Sequence, residues 1–106
     1  MVEQTTQLDS IFLALSDSTR RDMLRRVIVS PLSISDLAES YTMSFAAVAK
    51  HVSKLEAAHL VVKKRQGKQQ IVLPVKVALN TATTYLEQYQ KSWEKRFYAL
   101  DELLNK

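Results

Sequence analysis

The side chains with chemical reach in this chain are mostly cations, and they are concentrated. Lys50 and Lys54 lie one helical turn apart, and Lys63, Lys64, Arg65 and Lys68 follow around Gly67, the only glycine. Ammonium and guanidinium groups at this density bind phosphate oxygens. There are no cysteines and two histidines, His51 and His59, and no Ser/His/acid set or carboxylate pair is recognisable. One glycine makes no phosphate-cradling loop. Lack of cysteine also closes disulfides, thiolate metal sites and thiol redox sensing. The expectation is a chain that binds a polyanion, is not an enzyme and carries no cofactor.

Charge is segregated along the chain. Lys and Arg number 15 against 11 Asp and Glu, a net +4. Residues 20–76 hold eleven of those cations and four of the acids, a local +7, which leaves the flanks at −3. A basic centre between acidic arms is the footprint of a polyanion-binding surface.

To act together these cations must be held by folded elements. At 106 residues and 46% apolar content the chain is expected to form one domain with a real core. No apolar run is long enough to span a membrane, and MVEQTTQLDS lacks the basic and apolar regions of a signal peptide, so a cytoplasmic location is expected. Leu8, Ile11, Phe12 and Leu15 recur at helical spacing and predict a first helix ending near Ser16. Asp17 is an N-cap for a second over Ser18 to Val29, with Met23, Leu24, Val27 and Ile28 inward and Ser30-Pro31 as the stop. Ser33 and Asp36 have the spacing of a capping box for a short third helix through Tyr41. After a turn at Thr42-Met43, Ser44 caps a fourth helix, Phe45 to Ala58, with Val48, Val52 and Leu55 on one face and Ala46, Ala49, Lys50, Ser53 and Lys54 on the other.

Beyond His59 the pattern turns to β-favouring runs, Leu60 to Arg65 and Gln69 to Leu73, with Gly67 at a hairpin tip and Pro74 as terminator. From Val77 to Leu104 the apolar positions Leu79, Ala82, Leu86, Tyr89, Trp93, Phe97, Leu100 and Leu104 repeat every three or four residues. A helix of that length spans roughly 40 Å, against a radius of gyration of ~13 Å expected for such a domain, so its distal part needs a second chain. The predicted fold is mainly α, a winged helix-turn-helix of order ααααββα. Residues 1–106 form the domain, 33–58 the helix-turn-helix and 60–74 the wing, with 1–16 and 77–105 as dimerisation helices. The expected interface comprises Leu8, Ile11, Phe12, Leu86, Tyr89, Trp93, Phe97, Leu100 and Leu104.

The ordered blocks IFLALSDSTRRDML, PLSISDLAES, MSFAAVAKHVSKLEAAHLV and RQGKQQIVL resemble the ArsR/SmtB family of bacterial repressors over nearly the whole chain. The tail YLEQYQKSWEKRFYALDELL is similar to that of a metal-independent branch whose last helix carries a WLERY…W pattern. The resemblance implies a homodimer presenting two recognition helices to a palindromic double-stranded DNA operator. It places Ser44, Phe45, Ala46, Ala49 and Lys50 toward the bases, an apolar set suited to thymine methyls more than to bidentate hydrogen bonding. Phe45 has the alternative of turning inward beside Tyr41. Where thiolate-sensing members hold two cysteines, this chain has Ser33 and Ser35, and the segment matching the zinc-type site, Val77 to Leu104, has no histidine. No metal is therefore expected. His59 stands where the family often has glycine, which implies a left-handed helix cap.

Backbone contacts are expected from His51, Lys54 and the wing residues Lys63, Arg65, Gln66 and Lys68. Strand alternation allows only about half of the wing cations to face DNA. Arg20 or Arg21 is placed on a phosphate, with a salt bridge to Asp17 or Asp22 as the alternative. The functional expectation is a sequence-specific DNA-binding regulator, a homodimeric repressor or autorepressor. The alternative is a dimeric winged-helix module acting through a protein partner. Nothing in the sequence identifies the operator, or a small-molecule or protein effector.

Overall fold

The computed structural model describes residues 2–105. Met1 and Lys106, which the single-domain reading of 1–106 includes, lie outside the described residues. The chain runs α1 (Val2–Leu15), α2 (Ser18–Val29), β1 (Leu32–Ser33), α3 (Ile34–Glu39), α4 (Phe45–Ala57), β2 (Val61–Gln66), β3 (Gln69–Pro74) and α5 (Lys76–Leu104). This is a winged helix-turn-helix.

The helix starts follow from their caps. The Asp17 carboxylate accepts from the Arg20 amide at 3.0 Å, and the Ser44 hydroxyl from the Ala47 amide at 3.1 Å. At α3 the box is reciprocal: Ser33 Oγ accepts from the Asp36 amide at 3.0 Å, and Asp36 Oδ2 from the Ser33 amide at 3.4 Å. At its far end α4 closes with a Schellman motif. The His59 amide donates to Glu56 O at 2.9 Å and the Leu60 amide to Leu55 O at 3.0 Å, with His59 at φ 60°. Leu55 and Leu60, the apolar pair of that motif, are buried.

The wing is a two-residue hairpin in which Gln66 pairs with Gln69 and Gly67 takes φ 64°. One strand escaped the expected ααααββα order. Leu32 and Ser33 form β1, paired antiparallel with Val72 and Ile71, so the sheet has three strands in the order β1-β3-β2. The third helix also ends at Glu39, short of Tyr41.

The core gathers one face of every helix: Ile11 and Ala14, Met23 and Val27, Leu37, Val48 and Val52, with Val61 and Val72 from the wing and Ala78 and Ala82 from α5. Ile11 is wholly enclosed in this chain's own core and has no surface to offer a second copy, a correction to its expected interface role. Beyond Ala82 the last helix leaves the body. Extents of 67 × 31 × 20 Å and a radius of gyration of 18.2 Å record a long free arm. Leu86, Tyr89, Trp93, Phe97, Leu100 and Leu104 are all exposed, from 45% at Leu100 to 82% at Leu104. Phe12 packs on Tyr85 at 6.0 Å between ring centres and Leu8 is half-buried, so the first turns of the arm do lean on α1.

Candidate nucleic-acid interface

The cations divide into those the fold uses and those it leaves free. Arg20 belongs to the first group. It is 7% exposed; its Nε donates to Ala14 O at 2.7 Å and its Nη2 to Leu13 O at 3.1 Å, closing the C-terminus of α1. A guanidinium so enclosed cannot reach a phosphate, which corrects the role given to Arg20. Arg21 similarly donates to Leu15 O at 2.7 Å. Arg25 and Arg26 hold Asp22 at 2.6 and 2.8 Å. Lys63 pairs with Glu56 at 3.2 Å, tying the wing to the end of α4, and is committed within the chain.

Lys50, Lys54, Lys64, Arg65 and Lys68 are exposed, and among the described residues none of them makes an ion pair. These cations therefore lie on the exposed face of α4 and along the wing. Phe45, at the N-terminal end of α4, is 55% exposed rather than turned into the core. The ring it was to stack beside is engaged elsewhere: the Tyr41 hydroxyl donates to Asp22 at 2.5 Å and its face lies under Arg26 at 5.5 Å. Ala46 is exposed and Ala49 half-buried, while the Ser44 hydroxyl is occupied by its cap. The face presented by the first turns of α4 is thus methyl groups, one aromatic ring and one ammonium. Gln66 is exposed at the wing tip.

Two networks behind this surface were not visible in the sequence. In one, Asp22 joins α2 to the helix-turn-helix through Tyr41. Hydrogen bonds from Arg26, Tyr41 and Arg25 hold the Asp22 carboxyl well below the usual carboxylate range. Burial, then the neighbouring carboxylate, pushes the Tyr41 hydroxyl up to about 12. In the other, His51 on α4 meets Arg20 Nη1 at 3.3 Å, with Asp17 Oδ2 4.0 Å away. Each joins residues far apart in the chain, and no local spacing signals either.

Nothing in this arrangement provides a nucleophile beside a base. Among the described residues no three His, Cys, Asp or Glu side chains gather as a metal site. Ser33 is buried and occupied in capping α3. No helix of the described residues is long and apolar enough to cross a membrane.

No protein-family model matches the sequence. The structure is similar to that of an ArsR-like transcriptional regulator from Rhodococcus sp. RHA1, with a TM-score of 0.83 and 30% identity over 99% of this chain and 96% of that one. Among curated proteins, the HTH-type transcriptional regulator YuzN of Bacillus subtilis is 41% identical over 73 residues, 61% of this chain and 78% of that protein. The HTH-type transcriptional regulator Rv2034 of Mycobacterium tuberculosis is 27% identical over 97 residues, 92% and 88% of the two chains.

Proposed function

The chain belongs to the ArsR family of winged helix-turn-helix, DNA-binding transcriptional regulators and is not an enzyme, and from that premise we propose that it is a homodimeric repressor without the metal and thiol sensor sites of other members. The recognition helix α4 enters the major groove by its N-terminal turns, with Phe45, Ala46 and Ala49 against thymine methyls and Lys50 at a guanine edge or a phosphate. Lys54, Arg65, Gln66 and Lys68 bind the flanking backbone. Lys64, exposed on the other face of β2, contributes long-range attraction. The observation that carries this reading is the division of the cations: those of α2 are spent on carbonyls and carboxylates, while those of α4 and the wing tip have no ion-pair partner among the described residues.

The free arm of α5 supports the dimer. Trp93 and Phe97 pack side by side on this arm, ring centres 5.5 Å apart and planes tilted at 53°, and both are exposed. An apolar row of this length on a monomer is a protein interface by its size. Pairing two arms, with Leu8 and Phe12 at their base, sets two α4 helices at a fixed spacing for two half-sites one DNA turn apart. Ser33 and Ser35 stand where thiolate-sensing members hold cysteines, and control by the chain's own concentration, as in an autorepressor, fits that replacement.

Gel-shift binding to the region upstream of its own gene, with sedimentation to count chains, tests both parts. Retention of that fragment over competitor DNA by a dimer is expected. A well-folded chain that binds no DNA but captures a protein partner supports the interaction-module reading instead.

A further inference from the structure

Arg20 and His51 carry an inference that rests on the DNA-binding reading and extends it. Arg20 Nη1 lies 3.3 Å from His51 Nδ1. A guanidinium has donors only, so Nδ1 is the acceptor and the ring proton sits on Nε2. Among the described residues Nε2 has no partner, and no buried side-chain nitrogen or oxygen goes unpartnered. Nε2–H therefore meets solvent. Its surroundings on α4 are cationic: Lys50 precedes it and Lys54 follows one turn later, both exposed. The nearby carboxylate, Asp17, lies toward the Nδ1 edge, 4.0 Å from that atom. Arg20 itself is pinned by the carbonyls of Leu13 and Ala14, so its charge stays behind the imidazole and polarises the outer N–H toward an anion.

We propose that Arg20 is a positioning residue that locks His51 in the Nε2–H tautomer, and that this N–H donates to a backbone phosphate oxygen of bound DNA. The arginine reaches the phosphate only through the ring. Because a neutral donor displaces no counterion, the contact adds affinity without adding salt dependence, unlike Lys50 and Lys54. It reads no base, so its contribution is the same on operator and non-operator DNA.

The test uses the full chain. Long-range ¹⁵N–¹H correlation of the imidazole reports the tautomer, and fluorescence anisotropy across a salt series reports binding by wild type, His51→Phe, His51→Gln and Lys54→Ala. The expected results are an Nε2–H ring and a loss of about tenfold or more for His51→Phe that is parallel at every salt concentration. His51→Gln, which returns an N–H near the Nε2 position, recovers most of that loss and keeps the proposal testable should the Phe variant fold poorly. Lys54→Ala lowers the salt slope by about one per protomer. An Nδ1–H ring, a His51→Phe variant that binds like wild type, or a loss that His51→Gln does not recover overturns the proposal. A wild-type chain that binds no DNA overturns the DNA-binding reading with it, whereas wild-type binding with an unaffected His51→Phe overturns this proposal alone.

Discussion

Replacing Arg20 separates a structural arginine from a DNA-contacting one. Of its two carbonyl acceptors, Leu13 O keeps the Ser16 hydroxyl at 2.6 Å, whereas among the described residues no other side chain donates to Ala14 O. In Arg20→Ala the loss of that partner costs about 1–3 kcal/mol, and removal of the buried aliphatic stem adds roughly 1–2 kcal/mol. A total near 2–5 kcal/mol lowers Tm by roughly 10–30 °C in a domain of this size. Arg20→Lys, which keeps stem and charge but reaches fewer acceptors, loses less. Thermal unfolding followed by circular dichroism measures both. Binding by the folded Arg20→Lys variant supplies the second axis: its salt slope equals that of wild type, because no phosphate contact at Arg20 is removed. A Tm within a few degrees of wild type, together with a slope lowered by about one per protomer, refutes the burial argument and returns Arg20 to the DNA.

Other outcomes follow from the same geometry. His59→Gly relieves a left-handed residue whose side chain is exposed; about 1–2 kcal/mol of αL strain less about 0.4–1 kcal/mol of glycine entropy leaves a gain near ~1 kcal/mol, readable as a higher Tm, while His59→Val falls below wild type. Asp22 has a depressed carboxyl pKa, so its stabilisation is full above the unfolded value near ~4 and is lost as pH falls below it. Denaturant unfolding of wild type and Asp22→Asn should differ most at pH about 6 and converge toward pH about 2; a constant gap contradicts the network. Trp93→Ala with Phe97→Ala, on the free arm, leaves the monomer fold intact and shifts sedimentation from dimer to monomer. If those variants sediment as wild type, the arm is not the interface.

How far the sequence could be read depended on how local each determinant is. The caps at Asp17, Ser33 and Ser44 act within three residues, and the positive φ of Gly67 and His59 answers to one residue each, so helix starts, wing tip and the end of α4 were all legible. Strand β1 was not. Two residues carry no periodicity, and their partners, Ile71 and Val72, are far along the chain. Ile11 and Phe12 share one apolar stripe, but which of them meets the core depends on where α2, α4 and α5 pack. The site divides in the same way. Exposure of Lys50 and Lys54 follows from helical period around Val48 and Val52. The loss of Arg20 to the end of α1, and of Lys63 to Glu56, depends on long side chains meeting partners that only the folded chain brings near.

The central claim is that α4 and the wing tip bind the DNA backbone with their free cations. Its most direct test is the affinity for duplex DNA from the chain's own upstream region, measured by fluorescence anisotropy between about 50 and about 200 mM salt. About 6–10 phosphate contacts per dimer predict a fall of ~10³- to 10⁵-fold across that range, with a slope reduced in Lys54→Ala and in the double variant Arg65→Ala, Lys68→Ala. A flat salt profile, or a slope that ignores those substitutions, contradicts it.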